Sequence, residues 1–151
     1  MKIYCEHGAT TKEIRKLGQS GNVELLHFPY DPGSNTRRIP GIATPSKAQI
    51  RDLNLPIQNL PGMGADYVGS VHFDEMLSII GGSNRQDSLH VDSAFKHRCS
   101  AFVTWDSHIL NHKLELECLL GIRVFRPDAC SDLEQFVLDD CGADFCGKAS
   151  V

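Results

Sequence analysis

An α/β domain built on a mostly parallel sheet is the fold class this chain predicts, and three observations predict it. Short apolar runs of strand length alternate with helical patterns along the chain. The first of these form a strand–helix–strand unit, which favours parallel pairing through right-handed crossovers. Two acids, Asp87 and Asp106, fall where helix starts and strand ends meet at one edge of such a sheet.

Lys2 to Cys5 reads as the first strand. Thr10 and Glu13 have the spacing of a capping box for a short helix through Leu17, and Gly18 and Gly21 end it ahead of a second strand, Val23 to Phe28. The character then changes: six of the seven prolines lie between Pro29 and Pro61. This stretch is expected to be a long loop with at most a short helix from Ser46 to Leu53. An apolar helix follows near Phe73 to Ile80. Ser83 and Gln86 then cap a helix from Asn84 to Arg98, whose Val91, Ala94 and Phe95 form one stripe with Asp87 a turn earlier and Leu89 on the opposite face.

Ser100 to Thr104 is the next strand, followed by Asp106 and a helical pattern from Asn111 to Leu120. Ser131 and Glu134 cap a last helix through Leu138, after which Cys141 to Gly147 reads as a poorly ordered tail. Residues 1–138 are therefore expected to form one domain with a Pro/Gly-rich loop at 29–64, and residues 139–151 an acidic, flexible tail.

With 151 residues and a net charge of −4, the chain has the usual size of one domain and repels polyanions as a whole. A polyanionic ligand must then be gripped locally. Arg37, Arg38, Lys47 and Arg51, set against Asp52 in the proline-rich stretch, are the expected nucleic-acid contacts, with ordinary solvated loop charges as the plain alternative. No apolar run is long enough to span a membrane, and the start lacks the basic-then-apolar pattern of a signal peptide, so a cytoplasmic location is expected. The six cysteines include no C-x-x-C pair and are expected to be reduced thiols. No G-x-S-x-G element or P-loop is present.

Asp87 and Asp106 each have a local explanation. An acid in a first helical turn complements the helix dipole, and an Asp before a helix accepts backbone N–H bonds. Placed at one sheet edge, however, they form a shared acidic site, which suits a divalent cation.

The run Asp87-Ser-Leu-His-Val-Asp-Ser-Ala, then Cys99-Ser-Ala-Phe-Val-Thr-Trp-Asp106-Ser-His-Ile-Leu, then Gly121-Ile-Arg-Val-Phe-Arg-Pro resembles the C-terminal half of a PIN domain. The likeness covers about Arg85 to Val137. It implies a three-layer α/β/α fold whose clustered acids bind Mg²⁺ or Mn²⁺ and hydrolyse RNA, as in toxins paired with an antitoxin protein. The metal-site roles would fall on Asp87 and Asp106, with Thr104 orienting Asp106 or its ion. Glu6 stands where the family has an Asp, followed by His7 and Gly8 in place of a small polar residue and Asn. Asp31, just after the second strand, takes the place of the family's further carboxylate, with Glu75 as a second candidate. The alternative is a catalytically degenerate PIN-like module that binds nucleic acid or protein. Whether the chain forms a homodimer is left open.

A competing metal reading rests on His108 and His112. Their spacing of four is one used by zinc ligands on a helix, and Asp106 and His90 could complete the set.

Overall fold

The structure, a computed structural model, describes residues 1–6, 8–26, 42–43, 69–81 and 85–146. In chain order the elements are β1 (Lys2–Cys5), α1 (Lys12–Gln19), β2 (Glu24–Leu26), β3 (Ile42–Ala43), α2 (Phe73–Ile80), α3 (Arg85–Lys96), β4 (Ala101–Val103), α4 (Ser107–Asn111), α5 (Lys113–Leu120), β5 (Arg123–Phe125) and α6 (Cys130–Cys146). The strands form one all-parallel sheet in the order β3-β2-β1-β4-β5, as the α/β expectation required. No helix among the described residues is long and apolar enough to cross a membrane.

Because successive side chains of a strand point to opposite faces, each strand splits its residues between two cores. Ile3, Cys5, Leu25, Ala101, Val103 and Phe125 pack on one face with Ile14 of α1 and Leu133 and Val137 of α6. Tyr4, Leu26, Phe102 and Val124 pack on the other with α2, α3 and α5, through Met76, Val91 and Leu116 among others. Burial on both faces explains why the strands read as near-continuous apolar runs rather than alternating ones.

Several local expectations are corrected. Thr11, not Thr10, caps α1, its hydroxyl accepting from Ile14 N–H at 3.3 Å, and the helix runs on to Gln19. The proline-rich stretch contributes β3, a two-residue strand held by pairing of Leu25 with Ile42 and Leu26 with Ala43. The expected helix at Ser46 to Leu53 lies outside the described residues.

Leu89 does not face solvent. Ser88 through Ala94 are all buried, because α2 covers the flank of α3 that the sheet does not, with Leu89 among Phe73, Met76 and Ile80. α3 ends at Lys96 rather than Arg98, since Arg98 turns left-handed (φ 57°) and the Cys99 N–H closes back on Ala94 O at 3.0 Å.

Helix after β4 starts earlier than expected, at Ser107, and breaks at His112 (φ −105°, ψ 19°), so α4 and α5 are separate. α6 continues past Leu138 to Cys146, giving helical structure to part of the stretch expected to be a tail. Cys5, Cys99, Cys118 and Cys130 are free thiols. Burial pushes the thiols of Cys5 and Cys99 up to about 12, which leaves them inert packing groups.

Among the described residues β5 is one of the two edges of the sheet, and an open edge invites pairing with another chain. Glu117 of α5 covers it. Its carboxylate accepts the Val124 N–H at 2.8 Å, and Arg123 Nε and Lys113 Nζ lie 3.5 and 3.8 Å from the same oxygen.

Candidate functional site

The chain builds outward from β1 to β2 and β3, then returns to lay β4 and β5 on the other side of β1. The strand order reverses between β1 and β4, and in open parallel sheets ligands bind beyond the carboxyl ends of the strands at that reversal. Glu6 lies there, one residue past the end of β1, its N–H bonded to Val103 O at 3.0 Å. Thr104, Trp105 and Asp106 follow β4 beside it.

One hydroxyl joins the two acids. Thr104 is fully buried; its Oγ1 accepts the Asp106 N–H at 2.8 Å and donates to Glu6 Oε2. Asp106 in turn caps α4, Oδ1 accepting from His108 N at 2.8 Å and Ile109 N at 3.0 Å. So the local explanation of Asp106 as a cap holds. Each acid has one oxygen engaged in this way. Among the described residues, Glu6 Oε1 and Asp106 Oδ2 make no hydrogen bond.

Electrostatics place a third acid nearby. The Glu6 carboxyl is held above its ordinary range mainly by burial. The charges of Asp106 and Asp87 push it further up, while His90 and the Thr104 hydrogen bond oppose them. Asp87, in the first turn of α3, therefore lies within electrostatic reach of Glu6, across a chain separation that only the fold closes.

Below the acids is a polar pair in the core. The Tyr4 hydroxyl and His90 Nδ1 are 2.5 Å apart, both side chains are buried, and the Tyr4 ring stacks on Phe102 with centroids 5.0 Å apart. The pair ties β1 to α3 three residues after Asp87. Sequence reading missed Tyr4 because it occupies an ordinary strand position; its polar tip, which when buried needs a partner, was the available signal.

Trp105, the chain's one tryptophan, was also missed as a site residue. It is 48% exposed beside Asp106, its Nε1–H donates to Gly8 O at 3.2 Å, and the Arg126 guanidinium stands 5.6 Å from the ring centroid.

The zinc set does not assemble. His112 sits at the α4–α5 junction with its Nδ1 3.2 Å from Glu115, and His90 is engaged with Tyr4. Among the described residues no three His, Cys, Asp or Glu side chains are grouped closely enough to hold an ion by themselves. Glu75 is exposed on α2, 3.5 Å from His72. Asp31, Arg37, Arg38, Lys47 and Arg51 lie outside the described residues, as does His7.

Hard oxygen donors of this kind suit Mg²⁺ or Mn²⁺, and Mg²⁺ characteristically keeps several waters while binding one or two carboxylates. Glu6 and Asp106 are donors of that chemical class, each with one oxygen that makes no hydrogen bond among the described residues. Comparisons with protein-family models, with curated proteins and with solved structures returned no match.

Proposed function

We propose that this chain is a divalent-cation-dependent endoribonuclease with a three-layer α/β/α, PIN-like fold. The observation that carries the reading is the convergence of Glu6 and Asp106, joined through Thr104 and within electrostatic reach of Asp87, at the reversal point of a parallel sheet. The resemblance of the sequence from about Arg85 to Val137 to PIN domains supports the same assignment.

Glu6, Asp87 and Asp106 would hold Mg²⁺ or Mn²⁺, with Asp31 as a further carboxylate. Bound there, the ion supplies a water of lowered pKa and Lewis-acid stabilisation of the phosphate oxygens. The chain's own residues do the rest. Thr104 fixes the Glu6 carboxylate and the Asp106 backbone relative to one another, and the Asp106 cap holds that side chain against α4. Burial of Glu6 strengthens its interaction with a cation, because the low-dielectric surroundings screen little. Arg37, Arg38, Lys47 and Arg51 hold RNA phosphates against the overall negative charge. On this reading the protein works in the cytoplasm and takes an antitoxin as partner, as a monomer or homodimer.

A second reading has specific support. Glu6 is one methylene longer than an Asp, and no three acids are grouped at ligating distance among the described residues. Both facts favour a degenerate PIN-like module that binds RNA or protein without cleaving.

The test is cleavage of single-stranded RNA with Mn²⁺ present, stopped by EDTA. Asp87→Asn and Asp106→Asn should each lose most of the rate while folding normally, and Arg37→Ala with Arg38→Ala should weaken binding and flatten its salt dependence. Activity unchanged in Asp106→Asn overturns the mechanism. No cleavage by the wild type with activity gained in Glu6→Asp establishes the degenerate module.

A further inference from the structure

We propose that Trp105 is a base-stacking platform, so that the site takes a single-stranded nucleic acid with one base laid on the exposed indole. The proposal rests on the ribonuclease reading for the nature of the ligand and adds which part of it this side chain recognises.

An account of why Trp105 keeps 48% of its surface in water lies in its packing or in its placement. The packing of Trp105 does not supply one, since it lies outside both apolar cores. Its placement does: the residue sits between Thr104 and Asp106, so its backbone is part of the segment that positions the acids. The ring is also fixed in advance. Its Nε1–H is tied to Gly8 O at 3.2 Å, just beyond Glu6, which bridges the ends of β1 and β4. Arg126 lies 5.6 Å from the ring centroid and is itself held by two 3.0 Å contacts with Asp128, from Nε to Oδ1 and from Nη2 to Oδ2.

Asp128, Arg126 and Trp105 thus lie in series, ending in an exposed aromatic ring next to Asp106 in the chain. A base adding to it costs the protein less ordering than it would on an untethered ring, because the indole N–H is already bonded to Gly8 O. Bases have π-faces whatever their identity, so the platform favours unpaired strands over a duplex, whose bases are already stacked. Arg126, with its charge largely matched by Asp128, supports the ring rather than competing as a phosphate ligand.

Because the chain has one tryptophan, its fluorescence reports on this position alone. The full chain is titrated in EDTA, which prevents cleavage, with single-stranded oligoadenylate RNA and separately with heparin, a polyanion lacking bases. Saturable quenching by the RNA and none by heparin is expected. Binding of labelled RNA, followed by polarisation, should weaken about 5- to 150-fold in Trp105→Ala, the range that loss of one base–aromatic stack produces. Trp105→Phe should recover part of the affinity.

Equal quenching by heparin, or undiminished RNA binding by folded Trp105→Ala, overturns the proposal. If Trp105→Ala fails to fold, the wild-type titrations and Trp105→Phe decide. An emission change that follows protein concentration without RNA, accompanied by self-association, would assign the surface to a protein contact and overturn it as well. Quenching that survives in Asp106→Asn alongside absence of cleavage by every form removes the nuclease reading and leaves the platform standing.

Discussion

Thr104 Oγ1 joins Glu6 to Asp106, donating to the first side chain and accepting from the backbone of the second at 2.8 Å. One atom thus links the Glu6 carboxylate to the Asp106 backbone, while the Asp106 side chain is held separately by its cap bonds to α4. Thr104→Val keeps the shape, removes both bonds and leaves a buried carboxylate oxygen without its donor. It should cost about 1–3 kcal/mol in urea unfolding, whereas Thr104→Ser should cost less than half as much. Equal losses in the two variants would assign the effect to the methyl packing rather than to the hydroxyl.

Asp106 has a cap role and a proposed metal role, and two substitutions separate them. Asn is as good an N-cap as Asp, so Asp106→Asn should unfold within about 0.5 kcal/mol of the wild type, while Asp106→Ala should lose about 0.5–2 kcal/mol. Millimolar Mn²⁺ should raise the melting temperature of the wild type more than that of either variant, by linkage to binding of the native state. A response of Asp106→Asn as large as that of the wild type would place the ion elsewhere.

Burial, reinforced by the charges of Asp106 and Asp87, holds the Glu6 carboxyl above its ordinary value of 4.5. As pH rises from that value, the native state retains a proton that the unfolded chain has released, so Glu6 favours folding at low pH and this contribution is lost as pH rises through its native value. Buried Asp92 is shifted in the same direction, also chiefly by burial, and adds to the trend. Glu6→Gln, which keeps an oxygen for Thr104 but never ionises, should gain stability relative to the wild type as pH is raised from 4 to 7. Thermal unfolding across that range checks the sign; a stability difference that does not move with pH would mean Glu6 is not held this way.

Glu117 closes the β5 edge by taking the Val124 N–H. Glu117→Ala leaves that donor and Arg123 without their carboxylate, and should destabilise the fold by about 1–3 kcal/mol. It should also give concentration-dependent association in sedimentation velocity, since the uncovered edge can pair with a second chain. A variant that is destabilised yet monomeric at all concentrations would show that the short strand is protected by other means.

The elements that the sequence predicted well are those whose pattern is local. Lys2–Cys5, Phe73–Ile80 and Ala101–Val103 stand where apolar runs and helical spacing put them. β3 was illegible because Ile42–Ala43 is held by β2, not by any periodicity of its own. Leu89 fell outside the predicted stripe because helix periodicity describes one buried face, whereas α3 is covered by both the sheet and α2.

The chain by itself determined the parallel α/β class and which acids sit at strand ends or helix starts, since both follow from short-range pattern and residue type. Only the tertiary structure decided what those acids meet. Glu6 and Thr104 are 98 positions apart, Tyr4 and His90 are 86, and Trp105 and Gly8 are 97. No local spacing encodes such distances. They are set by the order in which β1 and β4 pair and by the packing of α3 on Tyr4 and Phe102, which depends on how the whole core fills its volume.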